Sequence, residues 1–302
     1  HHPRSAIMPD APAEYLTTRE LAELLRIKER KVYELAASGV VPCSRATGKL
    51  LFPRRGVEDW VKQNSSGSTV GPRAHRPPVF LGSYDPLLEW ALRESHCDLA
   101  TFLDGSLDGL DRFAKHEGVA SGLHLWEPDD EEWNRATVET RFGREPVVLI
   151  EFAWRERGLV VAAGRESELS SVARLRGQRV VPRQAEAGSQ TLLQQLLQQA
   201  GLADTELTWV DTARTETEAA LVVSEGNADA ALGLAGLAHQ CRLGFVPLMR
   251  ERFDLLVDRR AWFEAPFQQF LSFCRSPEFE RKAGVLRGYD VGQFGRVVFN
   301  GL

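Results

Sequence analysis

Apolar positions change their rhythm near residue 78, and the change divides the chain. Before it, Leu21, Leu24 and Leu25 recur at i, i+3 and i+4 behind Thr17-x-x-Glu20, a capping-box spacing that predicts a helix. A break at Arg26-Ile27 precedes a second helix over 28–38, with Val32, Leu35 and Ala36 on its apolar side and Gly39 placed to end it. Val40-Val41-Pro42 and residues 45–52 then read as strand, tight turn and strand, and Val57, Trp60 and Val61 as a last short helix. Beyond residue 78, strand-length apolar runs alternate with helical stretches, which predicts an α/β body. Strand 79–82 leads into helix 86–93, strand 98–103 into helix 107–117, and strand 120–126 follows. A strand pair at 147–152 and 158–163 precedes strand 178–182 and helix 190–201. Strand 206–210, helix 216–225, strand 228–232, strand 253–257 and helix 262–274 complete the pattern.

Between the two parts, 64–78 loses apolar periodicity, running from small polar residues into prolines, and is expected to be a linker. The expected domains are therefore 15–63 and 79–302. Residues 1–14 are expected to be a tag remnant and disordered start, with Met8 the natural beginning. No apolar run approaches the ~20 residues of a membrane helix, and no signal peptide is evident, so a cytoplasmic location is expected. Cys43, Cys97, Cys241 and Cys274 are scattered without a C-x-x-C pair, which argues against a zinc site or a disulfide framework. The net charge of −5 speaks against nucleic acid until its distribution is considered. Ten basic residues against six acidic ones between Tyr15 and Lys62 leave about +4 there and about −9 elsewhere. A basic head on an acidic body is the charge signature of a DNA-binding domain joined to a non-binding one.

In the head, two short helices joined by a tight turn and followed by a basic hairpin suit a winged helix-turn-helix. Candidate DNA contacts are Thr18, Lys28, Arg30, Lys31 and Tyr33 on or near the helices, and Arg45, Lys49 and Arg54 flanking the wing. The segment Tyr15–Ile27, Val32-Tyr33, Gly39–Pro42, Phe52-Pro53-Arg54 and Val57–Val61 resembles the excisionase-type, MerR-related helix-turn-helix family. That family more often has Ser or Thr where Lys28-Glu29-Arg30 stands here.

Three times in the body a strand runs through a Gly/Ser turn into a helix: Gly82-Ser83-Tyr84-Asp85-Pro86, Asp104-Gly105-Ser106-Leu107 and Ala187-Gly188-Ser189-Gln190-Thr191. A hydroxyl and free N–H groups at a helix N-terminus suit an anion, and strand ends of one α/β sheet face a common crevice. Together with Gly122–Leu125, Ala228–Gly233 and Gly288-Tyr289-Asp290, these turns resemble the periplasmic-binding-protein-like domain of cytoplasmic regulators. The resemblance implies a two-lobed type II body, with lobe I at 79–175 and 246–302 and lobe II at 176–245. It also implies an oxyanion ligand such as molybdate or tungstate, with Ser83, Tyr84, Ser106, Ser189, Gln190 and Thr191 at the site and Asp229 and Tyr289 lining the cleft. Asp85, Asp104 and Asp108 stand beside two of the turns and would repel an anion if they point inward, which leaves a larger metabolite or cofactor as an alternative. Asp85 before Pro86 also suits an N-cap. His124 reads as structural, and Asp129 to Glu132 as a solvated acidic loop. Catalysis is not indicated: Gly188-Ser189-Gln190 lacks the second glycine of a nucleophile elbow, and His124 and Glu127 would point to opposite faces of a strand. The expectation is a non-enzymatic regulator binding double-stranded DNA and a small ligand, as a homodimer, with two alternatives: an enzyme fused to a DNA-binding head, or a constitutive DNA-binding or partner-binding module with an empty cleft.

Overall fold

The computed structural model describes residues 14–45, 48–64 and 75–302, in two compact units that divide between residues 73 and 74. The expected tag remnant and most of the expected linker lie outside the described residues. Arg76 does not behave as linker: its guanidinium is buried against Phe113 and donates to the carbonyls of Phe113 and Gly118 at 2.7 and 2.9 Å.

The head contains β1 (Tyr15–Thr17), α1 (Thr18–Leu25), α2 (Glu29–Ala37), β2 (Leu51–Pro53) and α3 (Arg54–Gln63). The capping box forms as the spacing predicts. Thr17 Oγ1 accepts from the Glu20 amide at 3.2 Å, and Glu20 accepts from the Thr17 amide at 2.8 Å. Gly39 closes α2 in the left-handed region, at φ +68°. Leu16, Leu21, Val32, Val41, Phe52 and Val57 meet in one small core. The expected hairpin is reduced to a single bridge between Ser44 and Leu51, and the main partner of β2 is β1. Val41 turns into the core and Pro42 has no N–H to give a ladder, so 40–42 is not a strand.

The body opens with β3 (Val79–Gly82), α4 (Pro86–Glu94), β4 (Ala100–Phe102), α5 (Ser106–Ala114) and β5 (Ala120–Leu123). A small hairpin, β6 (Trp126–Glu127) and β7 (Glu132–Trp133), precedes α6 (Arg135–Phe142) and the long β8 (Val147–Val161). Then come β9 (Arg179–Val180), α7 (Gly188–Gln199), β10 (Thr208–Trp209), α8 (Glu216–Ser224), β11 (Ala230–Leu234) and α9 (Ala235–Gln240). A second long strand, β12 (Gly244–Asp258), is followed by α10 (Arg259–Trp262), α11 (Ala265–Cys274), α12 (Pro277–Leu286), β13 (Tyr289–Asp290) and β14 (Val297–Asn300).

These strands make one mixed sheet in the order β10-β9-β11-β8-β12-β5-β3-β4, with β13 and β14 also paired to β8. At one end of the sheet, α4, α11 and α12 cover one face and α5 and α6 the other, which makes lobe I. At the other end α7 covers one face and α8 and α9 the opposite one, which makes lobe II. Antiparallel β8 and β12 run through both lobes. The expected strand pair at 147–163 is thus one continuous strand, and the expected strand 253–257 is only the end of β12. The lobe boundary moves accordingly. Leu159, Val161, Leu169, Val172 and Leu175 pack with α7, so the chain crosses within β8 and not after residue 175.

Candidate functional site

β8 and β12 each carry the triplet Arg-Glu-Arg at mid-length: Arg155-Glu156-Arg157 and Arg250-Glu251-Arg252. Their register sets Arg155 opposite Glu251 on one side and opposite Tyr289 of β13 on the other, so these three residues stand abreast on adjacent strands. Strand alternation puts Arg155, Arg157 and Glu251 on one face, while Arg250 and Arg252 lie over Trp154 on the other.

On the first face a charged cluster is almost wholly sealed from solvent. Arg155, Arg157 and Glu251 are each at most 1% exposed. Arg155 donates to Asp85 Oδ2 at 2.8 Å and also to Glu251 Oε1. Arg157 Nη2 donates to Glu251 Oε1 at 2.7 Å, and its Nη1 donates to Glu216 Oε1 at 2.8 Å and to Ser189 Oγ at 3.1 Å. Ser189 Oγ also donates to Glu216. Arg183 brings its Nη1 to 3.3 Å from the same Glu216 oxygen. Tyr289 donates its hydroxyl to Asp85 Oδ2 at 2.6 Å.

The charge states follow from these contacts. Burial works against the Arg155 charge, but Glu251 and Asp85 more than offset it, so its pKa lies above the ordinary guanidinium value. Burial alone would raise the Glu216 carboxyl, yet Arg157 and Arg183 bring it down to about 2. Glu251 is held well below the usual carboxylate range by Arg155 and Arg157 against the same burial. His124, whose Nδ1 lies 2.9 Å from Glu251 Oε2, is kept below its ordinary pKa by burial and is neutral at pH 7. Three guanidiniums therefore face three carboxylates, and the cluster is neutral overall.

The sequence-predicted donors divide into those that meet this cluster and those that do not. Ser83 and Ser106, at the end of β3 and the start of α5, place their hydroxyl oxygens 2.6 Å apart, and Ser106 Oγ accepts from the His124 amide. Ser189 opens α7. The two helix N-termini abut: the Leu107 amide donates to Glu186 O at 2.9 Å, and a Cβ on Gly105, at φ +117°, would lie 2.6 Å from that oxygen. A Cβ on Gly188 would come within 2.9 Å of Ser106 Oγ. Glycine at these two positions is what lets the lobes close. Tyr84 lies beside this seam, its pKa pushed up to about 12 by burial and by Glu89, with Thr217 of lobe II within its hydrogen-bonding reach.

Gln190 and Thr191 do not enter the cluster. Gln190 Oε1 accepts from the Arg183 amide at 2.8 Å, which fixes that loop, and both residues line a surface groove along α7. Asp229 is a correction. It lies immediately before β11, paired with Arg165 and Arg179, whereas the end of β11 that reaches the cluster is Leu234, opposite Arg157. Asp104 and Asp108 turn to Arg214 and Arg112, and only Asp85 points inward, where it both caps α4 and holds Arg155. Glu132, expected in a solvated loop, pairs with Arg252 at 2.6 Å. The residues that sequence reasoning missed are Arg155, Arg157, Glu216 and Glu251. The signal for Arg155, Arg157 and Glu251 was the Arg-Glu-Arg triplet, present in two largely apolar strands, whereas Glu216, the first residue of α8, carried no such signal.

In the head, Lys28, Arg30, Lys31, Tyr33, Arg45 and Lys49 are exposed, while Thr18 and Arg54 are half-buried. Glu34 pairs with both Arg30 and Lys31, at 3.4 and 3.3 Å. Among the described residues no helix is long and apolar enough to cross a membrane.

A helix-turn-helix head and a two-lobed body with a polar cluster where its lobes meet define a DNA-binding, ligand-binding architecture. A family model for a helix-turn-helix domain matches residues 15–65, and one for the PBP superfamily domain matches residues 89–275. The chain belongs to the PBP superfamily. It is similar along nearly its whole length to a Bacillus subtilis (strain 168) protein named Uncharacterized protein YvgK, with 24% identity over 303 residues, covering 93% of this chain and 97% of that one. A Clostridium pasteurianum protein named for the 5' region of a 2Fe-2S ferredoxin gene is 29% identical over 80 residues, 26% of this chain and 71% of its own. Among solved structures, the periplasmic aliphatic sulphonate binding protein SsuA of Escherichia coli matches with TM-score 0.42 and 18% identity, covering 70% of this chain and 78% of that one. The GluR0 ligand-binding core of Nostoc punctiforme, in complex with glutamate, matches with TM-score 0.44 and 13% identity, covering 70% and 96%.

Proposed function

We propose that this chain is a cytoplasmic, homodimeric transcription regulator whose body senses a small anion, an oxyanion such as molybdate or tungstate. Neither matched domain belongs to a catalytic family. The observation that carries the anion reading is the convergence, where the lobes meet, of three serine hydroxyls, the first turns of two helices and three guanidiniums. Ser83, Ser106 and Ser189 offer donors with fixed positions, and Arg155, Arg157 and Arg183 supply the charge. The test is thermal unfolding of the full chain against molybdate, tungstate, sulfate and phosphate, repeated with Ser106→Ala. A ligand at 100 times its Kd stabilises by about 2.7 kcal/mol. A shift with molybdate or tungstate that Ser106→Ala weakens supports the reading, and no shift with any oxyanion ends it.

One observation favours a second ligand class. Asp85, Glu216 and Glu251 alternate with the arginines, so the cluster has groups of both signs to offer a larger zwitterionic metabolite. Stabilisation by amino-acid-like compounds, with none by inorganic oxyanions, would select that class and leave the regulator reading intact.

A further inference from the structure

We propose that Glu216 is a built-in stand-in for the ligand: its carboxylate occupies an anion-binding corner formed by Arg157, Arg183, Ser189 and the first turn of α7, and a small oxyanion binds by displacing it. The inference rests on the anion-sensing reading above. All three side chains converge on one oxygen. Glu216 Oε1 receives Ser189 Oγ, receives Arg157 Nη1 at 2.8 Å, and lies 3.3 Å from Arg183 Nη1. This is the arrangement a bound anion would receive, with two guanidiniums and a hydroxyl at the start of a 12-residue helix.

The fit of the carboxylate is incomplete. Glu216 is 2% exposed, yet its Oε2 has no hydrogen-bond partner. Arg183 is held rigidly, with Nε on Ala213 O at 3.0 Å and Nη2 on Arg214 O at 3.1 Å, so its Nη1 is aimed into the corner. That Nη1 lies within ion-pair distance of Glu216 but makes no hydrogen bond. A buried acceptor left without a partner is costly, and here it stands beside a guanidinium N–H that is also unused. A tetrahedral oxyanion brings more oxygens than the single one now engaged, and the Ser106 hydroxyl lies just across the lobe seam to meet another. Glu216 is also the first residue of α8, whose cap is supplied separately by Thr215 accepting from the Glu218 amide at 3.0 Å. The carboxylate can leave without uncapping its helix.

The experiment compares wild type, E216A and E216Q in sulfate, phosphate and molybdate by calorimetric titration and thermal unfolding, with chloride at matched ionic strength. E216A should unfold at lower temperature in anion-free buffer and recover with sulfate but not with chloride. Its anion affinity should exceed that of wild type by at least tenfold, with E216Q between the two. Adding R183A to E216A should abolish the gain. If wild type binds an oxyanion and both variants bind it equally or more weakly, Glu216 does not compete for the site, and this inference fails while the sensing reading stands. If only the variants bind, no oxyanion displaces Glu216 from the corner, and the displacement inference fails together with the sensing reading. If nothing binds in any of the three, both fail. Should E216A not fold, E216Q alone decides, by a gain or its absence.

Discussion

Glu251 is the single carboxylate shared by both buried arginines of β8, and its removal tests whether the cluster is closed in solution. Glu251 has no exposed side-chain surface, and its partners Arg155 and Arg157 are 1% and 0% exposed. In Glu251→Ala, Arg155 keeps Asp85 and Arg157 keeps Glu216, but three guanidiniums, Arg183 included, then share two carboxylates. Breaking a buried pair from one side costs about 3–5 kcal/mol, because the remaining charge stays out of water. For a domain of 150–250 residues each kcal/mol lowers Tm by about 2–4 °C, so a loss of roughly 6–20 °C is expected. Tryptophan fluorescence is a suitable probe, since Trp90, Trp126, Trp133, Trp154, Trp209 and Trp262 all lie in the body. Glu251→Gln, which keeps one acceptor oxygen for the arginines but replaces the charge and the second oxygen with an amide NH2, should fall between wild type and Glu251→Ala. A Tm within about 3 °C of wild type for Glu251→Ala would mean the arginines are hydrated, and the closed cluster would not be the ground state.

The pH dependence offers a second check through Asp254, whose carboxyl is pushed up to about 6 by burial, against the pull of Arg252. A raised carboxyl favours the protonated folded form, so stability should grow by about 1 kcal/mol as pH falls from 7 to 5, and Asp254→Asn should remove that increment in a denaturant titration. Thr17→Ala removes the α1 cap and should cost about 1 kcal/mol, read as a roughly fivefold loss of hydrogen-exchange protection in α1; unchanged protection would show the cap to be inert. Lys31→Ala and Arg45→Ala should weaken DNA binding across all sequences and lower the salt slope by about 0.9 for each phosphate left without its cation, so an unchanged slope would remove that residue from the interface. If an effector changes DNA affinity by some factor, DNA must change effector affinity by the same factor, and titrations in both directions that disagree would refute a two-site coupling.

The head was legible because its signals are local. Thr17 and Glu20 are three residues apart, the leucines repeat at helical spacing, and Gly39 sits where only a left-handed residue ends the helix well. The wing was misread because Val40-Val41-Pro42 has strand composition, while Val41 is recruited by a core that forms at long range. The body's turns were legible for the same local reason, and Ser83, Ser106 and Ser189 do come together. Asp229 was misassigned because a strand's two ends look alike in sequence, and only the sheet register shows which end faces the other lobe. β8 failed differently. Pattern reading assumes one environment along a strand, so Arg155-Glu156-Arg157 looks like a turn between two strands. In fact the strand leaves one lobe's core and enters the other's, and the polar stretch marks the crossing.

That crossing also explains why the site is built from charges. A segment passing between two cores has to be polar where the lobes separate, since apolar residues there would weld them shut. It also has to be satisfied where they meet, because an unpaired buried charge is costly. Arginines matched by carboxylates meet both conditions: they are paired here and would be hydrated if the lobes parted. For the proposed sensing, closure by itself would carry no ligand information, as the protein satisfies its own charges. A ligand shifts the lobes only by the difference in its affinity for the two arrangements, and reversing a 1:99 population takes about 10⁴-fold preference. On the reading proposed above, an anion that replaced Glu216 would exchange one set of ion pairs for another, so most of its binding energy would cancel. What remained would be set by the groups the carboxylate leaves unused, Arg183 Nη1 above all, and by Ser106 across the seam. Selectivity would then belong to the geometry of those few donors, while the larger share of the charge would only hold the site together.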